Sequence, residues 1–231
     1  YQKMLKDANL IITRAENPNV SWTEDEKNTI VAEAKFFRAY TYNILVNLFG
    51  GVPIVDKEEL SPRFDYTRAS RKEVLEFIQK DLEFAAQYLP IVTSDASQDG
   101  RIFRAAANHL LSEVYISLGQ ETGDQLFYDK SIAAATAVID GSCGEYALVK
   151  SRFGDTSRPG DYYSDLFWTN QQNRASGNKE GIWVIQFEYL TPGAEEANNA
   201  QLRLWGPKIE DVTYPDGKKI LVCDTVGRMQ G

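Results

Sequence analysis

The stretch Glu33-Ala-Lys-Phe-Phe-Arg-Ala-Tyr40, continuing to Leu48-Phe-Gly-Gly-Val-Pro53, decides the fold. Apolar side chains at Val31, Ala34, Phe37, Tyr40/Thr41, Ile44/Leu45 and Leu48 keep the three-and-four spacing of a helix with one buried stripe. Thr23 and Glu26 stand three apart and form a capping box that starts the helix near Thr23. Trp22, just ahead of it, reads as a hydrophobic staple. At the other end Gly50 permits a left-handed exit and Pro53 bars continuation. Thr23 to Phe49 then makes roughly 40 Å of helix at about 1.5 Å per residue. This is a scaffold element.

Working outward, Tyr1 to Ala15 reads as the tail of a helix with Met4, Leu5, Ala8, Ile11 and Ile12 on one face, broken by Asn17-Pro18-Asn19. Residues 54–69 form a loop carrying Pro62. Ser70 and Glu73 make a second capping box, opening a helix with Val74, Phe77, Ile78, Leu82, Ala85 and Leu89 inside. After a polar connection from Ile91 to Gly100 comes a helical pair, about Phe103 to Leu118 and Asp124 to Asp140, closed by Gly119 and Gly141. A pair of this kind spans roughly 34 residues, the period of a tetratricopeptide repeat. Such pairs must stack to bury their stripes. The expected fold is therefore mainly α: a tetratricopeptide-like scaffold of helical hairpins over residues 1–141, then a loop-rich lobe with a few short strands over 142–231. In that lobe Ile182 to Tyr189 has strand composition and Asp216-Gly217 suggests a hairpin.

A formal charge of -8 excludes the basic face that a nucleic-acid binder presents to phosphates. No run of about 18 apolar residues encodes a membrane-spanning helix. Cys143 and Cys223 allow one disulfide, but no framework. Nucleophilic catalysis has only His109 to draw on, and that residue sits mid-helix four before Glu113, an ordinary exposed pair. His109, Cys143 and Cys223 lack the spacing of a metal site, and no phosphate loop or dinucleotide motif is present, so no cofactor is expected. Asp155, Asp161, Asp165, Glu195 and Glu196 could form a hydrolytic carboxylate pair only at a separation of about 5.5 Å or 6.5–9.5 Å; solvated loop acids are the plainer reading.

Aromatic residues make up 12% of the chain, and sugar binding needs such flat apolar faces with amides, carboxylates or Arg beside them. Two segments offer that mixture: Asp161-Tyr-Tyr-Ser-Asp-Leu-Phe-Trp168 with Asn170 to Asn173 behind it, and Asn198-Asn-Ala-Gln-Leu-Arg-Leu-Trp205 followed by Tyr214. The glycan-platform candidates are Trp205, Trp168, Tyr162, Tyr214, Asn198, Asn199 and Arg203. Trp183, flanked by Ile182 and Val184, reads as core, as does the Phe36, Phe37, Tyr40 and Tyr42 cluster. Arg38 and Arg101 read as structural, bonding carbonyls or carboxylates.

Four blocks of the chain, in order and spacing, resemble the SusD/RagB family: Glu33 to Pro53, Val74 to Pro90, Gly100-Arg101 through Arg104–Tyr115 to Leu118-Gly119, and Glu180 to Phe187. The resemblance implies a SusD-like surface lipoprotein that binds oligosaccharide or glycan without cleaving it. It also implies delivery to a SusC-like TonB-dependent transporter at the outer membrane. Members carry a leader and a lipidated cysteine and run longer. The present chain therefore reads as a fragment, with membrane association only through a lipid anchor absent from it. Two other classes stay open on the residues alone, a protein- or peptide-binding scaffold and a hydrolase.

Overall fold

Two capping boxes set where the long helices begin. The computed structural model describes residues 1–61, 63–168, 170–186 and 215–217. Helix α1 spans Gln2–Ala15 and α2 Glu24–Phe49, the latter with the Thr23 side chain accepting from Glu26 N and the Glu26 carboxylate returning to Thr23 N. Helix α3, Arg71–Tyr88, repeats the reciprocal arrangement through Ser70 and Glu73. Each box satisfies backbone donors that a helix start leaves open, which stabilises by about 1 kcal/mol. Helix α4 is Arg104–Thr122, α5 Gln125–Ile139 and α6 the short turn Tyr162–Asp165. Residues Tyr1–Val184 form one compact unit and Ile185–Gly231 a second.

Within the first unit each helix packs on its chain neighbour, α1 on α2, α2 on α3, α3 on α4 and α4 on α5. This is the stacked helical-hairpin scaffold that the repeat spacing predicts. Its core holds Phe36, Tyr42, Val74, Leu75, Ile78, Leu82, Leu89, Val114 and Leu118 with almost no exposed surface. Because α2 contacts α1 and α3, it buries Val31, Ala32, Ala34, Phe36, Ala39, Tyr42 and Val46 around much of its circumference, not one stripe. Leu48 and Phe49, at its last turn, are exposed instead. Helix α1 likewise buries Ala8, Asn9 and Ala15, while Ile11 is exposed and Met4 is half-exposed with its sulfur accepting from the Thr41 hydroxyl of α2.

A buried ionic cluster ties the first three helices together. Arg38 on α2 donates Nε to Asp81 Oδ2 at 2.7 Å and Nη2 to Asp81 Oδ1 at 2.8 Å, reaching α3. Its Nη1 serves both Asn9 Oδ1 on α1 at 2.8 Å and the Asp56 carbonyl at 2.7 Å. Lys35 Nζ adds a third donor to Asp81 at 3.0 Å, and Asn9 Nδ2 reaches the Val55 carbonyl at 2.8 Å. Arg101 joins Glu33 in the same structural manner, at the edge of α2. Both arginines thus act as sequence patterning expects.

The Gly50-Gly51 pair closes α2 for a steric reason. Gly50 has φ 71° and ψ −135°, a positive-φ exit distinct from the left-handed helical conformation expected there. At Gly51 a Cβ would overlap the Ala69 carbonyl, so only glycine lets the chain return past its own start. Arg68 clamps that return through the carbonyls of Phe49 and Gly51.

Three further expectations need correction. Helix α4 does not stop at Gly119 but runs to Thr122, and Gly123 supplies the left-handed cap. Gly119 packs instead under the Tyr128 ring of α5. Trp22 forms no staple, because the fourth helical position is Lys27, which pairs with Glu24 and Glu16. Ile182–Gln186 carry no strand; Trp183 sits edge-on to Phe36, Phe37 and Tyr40 at 5.6–6.0 Å and donates to the Gly100 carbonyl, so packing on α2 replaces strand pairing. The rest of that segment, 187–189, lies outside the described residues. Pro215–Gly217 form a turn with Gly217 at φ 80°, as the Asp-Gly pair suggests; the runs flanking it also lie outside.

Candidate functional site

Residues 152–178 fold into a knot of loops whose polar groups are used to hold it together. The Asp165 carboxylate, without exposed surface, receives Arg152 Nε at 2.6 Å and the Phe153 amide at 3.1 Å on Oδ2. Arg152 reaches on with Nη1 to the Gly160 carbonyl at 2.8 Å and Nη2 to the Arg158 carbonyl at 2.9 Å. The hydrogen bond and charge of Arg152 hold the Asp165 carboxyl below the ordinary carboxylate range, against the opposing effect of burial. Buried Gln171 accepts the Asp155 amide at 3.0 Å and donates to the Phe153 carbonyl at 3.3 Å, crossing the same loop. Asn178 secures the far side through the Gln172 carbonyl and the amides of Glu180 and Gly181. Asp161 opens α6 by accepting Ser164 N at 2.9 Å, with the Ser164 hydroxyl on the same oxygen.

This framework pushes aromatic rings outward. Tyr162 is 45% exposed, Tyr163 63% and Phe167 65%. The Tyr163 and Phe167 rings meet edge-on at 5.2 Å, one turn apart, so that they brace each other while leaving their outer faces open. Trp168 differs. It is half-buried, with the Arg158 guanidinium 5.3 Å from its ring and Arg158 anchored on Asp155 at 3.2 Å. Sequence reasoning singled out Tyr162 and Trp168; the open apolar area here is carried by Tyr162 with Tyr163 and Phe167, two residues inside the same segment that it did not select. Trp205, Tyr214, Asn198, Asn199 and Arg203 lie outside the described residues.

A second aromatic surface, on the loop between α2 and α3, went unread. Phe64 is 93% exposed, with Leu60 and Tyr66 also turned outward. Arg63 lies 5.1 Å over the Tyr66 ring and pairs with Asp65 at 2.7 Å, while the Tyr66 hydroxyl bonds Glu59. Alternation of aromatic and charged residues in Arg63-Phe64-Asp65-Tyr66 is the signal that could have found it.

Among the described residues the candidate catalytic groups do not converge. Asp155 binds Ser157 and Arg158, Asp161 caps α6 and Asp165 is buried against Arg152, so each loop acid has a structural task. Glu195 and Glu196 lie outside the described residues. Among the described residues no group of three or more His, Cys, Asp or Glu could hold a metal, and no helix is long and apolar enough to cross a membrane. His109 pairs with Glu113 at 3.6 Å on the exposed face of α4, as its spacing predicts. Cys143 is a buried thiol that burial pushes up in pKa, accepting Asn108 Nδ2 at 3.3 Å. Cys223 lies outside the described residues.

The chain as a whole is similar to known proteins. A SusD-like protein, P2, of Formosa agariphila is 28% identical over 166 residues, covering 71% of this chain and 28% of that protein. A crystallised SusD-like protein of Bacteroides fragilis superposes with a TM-score of 0.62 at 27% identity, over 79% of this chain and 31% of its own. A SusD superfamily protein of Parabacteroides distasonis gives a TM-score of 0.63 at 26% identity, over 81% of this chain and 36% of its own. The chain thus spans about a third of the length of the relatives it matches. The family described as SusD-like, starch-binding and associating with the outer membrane matches residues 1–116, half of the chain. Together with the stacked helical hairpins, that match makes the chain a member of the SusD-like family.

Proposed function

We propose that this protein captures an oligosaccharide or glycan nutrient at the cell surface without cleaving it. Residues 1–141 serve as the scaffold and residues 142–231 carry the ligand. The observation that carries this reading is the exposed Tyr162, Tyr163 and Phe167 cluster, set on loops cross-linked by Arg152, Asp165 and Gln171. Rings held by a rigid base bind with little ordering cost, which suits the apolar faces of pyranose rings. The loop acids have structural partners, which fits binding rather than hydrolysis. The family supports both the ligand class and the outer-membrane setting. Handover to a SusC-like TonB-dependent transporter, and attachment through a lipid anchor, complete the proposal. A protein-facing role gains some support from Leu48, Phe49, Leu60 and Phe64, apolar side chains exposed on the helical unit.

Binding to an open surface of this kind falls on the order of µM to mM. A glycan array run on the protein identifies the ligand. Tyr163→Ala and Phe167→Ala should then each weaken binding roughly threefold to tenfold, the scale of one aromatic contact, with little change in melting temperature. Undiminished affinity in both variants refutes this platform.

A further inference from the structure

The charges around the platform select among glycans. Between residues 152 and 168 the ionised side chains are Arg152, Asp155, Arg158, Asp161 and Asp165, three carboxylates against two guanidiniums. Both guanidiniums are engaged. Arg152 faces inward, with Nε on Asp165 and its two terminal nitrogens on the Gly160 and Arg158 carbonyls. Arg158 is paired with Asp155 and lies over the Trp168 ring. Asp165 is neutralised by Arg152 beneath the surface. That leaves Asp161, exposed, immediately before Tyr162, and in no ion pair among the described residues.

We propose that the Tyr162–Tyr163–Phe167 platform takes neutral glycans and disfavours uronate or sulfated ones, because Asp161, a carboxylate in no ion pair among the described residues, stands at its edge. This rests on the glycan reading above. Anionic polysaccharides are held by cationic forks with free donors, and here Arg152 gives all three nitrogens to protein oxygens while Arg158 is charge-paired with Asp155 through Nε. The chain's formal charge of -8 adds to the repulsion at long range.

The test uses the 231-residue chain, a panel of neutral hexasaccharides that includes cellohexaose, and the same chains oxidised at C6 to uronates, with affinities measured by calorimetry at low ionic strength. Neutral chains should bind and their oxidised forms should bind more weakly. Asp161→Asn keeps an oxygen for the Ser164 amide, so the helix start survives. It should raise the ratio of oxidised to neutral affinity about two- to threefold, the Coulomb effect of one unit charge at roughly 7 Å in water. That gain should shrink as salt is added. Oxidised chains binding as tightly as neutral ones, or an unchanged ratio in Asp161→Asn, overturns the selectivity while leaving glycan binding intact. Failure of every panel member, neutral and oxidised, overturns the glycan reading and this inference with it.

Discussion

Replacing Arg38 by Met tests what binds α1, α2 and α3 into one body. Methionine keeps most of the aliphatic stem and removes the guanidinium alone. Four hydrogen bonds of 2.7–2.8 Å vanish, two to Asp81, one to Asn9 and one to the Asp56 carbonyl, together with the contact over the Phe77 ring. Asp81, 2% exposed, is left with Lys35 as its counter-charge. Removing one partner of a buried pair costs about 3–5 kcal/mol, and Lys35 places the effect near the lower end of that range. For a chain of this size the melting temperature should fall by roughly 6–15 °C. Urea unfolding followed by far-ultraviolet circular dichroism gives the free energy, provided the slope with denaturant matches that of the parent. The double variant Arg38→Met/Asp81→Leu should cost clearly less than the sum of its parts, since the buried carboxylate is gone and only the partly exposed Lys35 loses its partner. A loss below about 1 kcal/mol for Arg38→Met, or additivity within about 0.5 kcal/mol, refutes the cluster's role.

Two other perturbations probe the packing and the knot. Glycine to alanine inside a helix ordinarily stabilises by about 1 kcal/mol, yet at Gly119 the new Cβ would lie 2.8 Å from the Tyr128 ring, so Gly119→Ala should lower the melting temperature. In a Tyr128→Ala background the same change should raise it, and a rise in the parent background would show the ring to be indifferent. For Asp165 the folded carboxyl is held below its ordinary value of 3.8, so its stabilisation is complete above that pH and is lost as pH falls through the folded value. Tryptophan emission should therefore report loosening around Trp168 below about pH 4. Asp165→Asn should lack that acid transition; a transition unchanged in the variant assigns it elsewhere.

What could be read in the sequence was what is decided locally. The boxes Thr23/Glu26 and Ser70/Glu73 each need only residues three apart, and both helix starts formed as expected. Gly119 was misread as a stop because a glycine near the end of a helix looks the same whether it caps or admits a neighbour's ring, and Tyr128 decides the matter from another helix. The supposed single stripe of α2 failed for a related reason: periodicity marks apolar positions but does not show that a helix has neighbours on several sides. In the candidate site the segment was legible from its composition, whereas exposure within it was not. Trp168 and Phe167 are adjacent aromatics, yet Arg158, ten residues before Trp168, lies over one ring while the other stays open. The surface at Phe64 was passed over because a loop defined by its breakers draws attention away from what it displays.

The contact between Gly51 and Ala69 has a consequence for how this scaffold can diversify. The Ala69 amide donates to the Val52 carbonyl at 3.2 Å and Arg68 grips the carbonyls of Phe49 and Gly51, so the connection from α2 to α3 leaves and returns through one stapled gate. Between the gateposts Val55, Asp56 and Glu58 are bonded to α1 and α2, while the outer stretch that carries Leu60, Phe64 and Tyr66 turns away from them. Doubling its length would add only about 0.6 kcal/mol of closure entropy. Such a loop is a socket: its outer residues, Phe64 among them, are free to be rewritten for a new ligand while Ser70 still opens α3 at the same place.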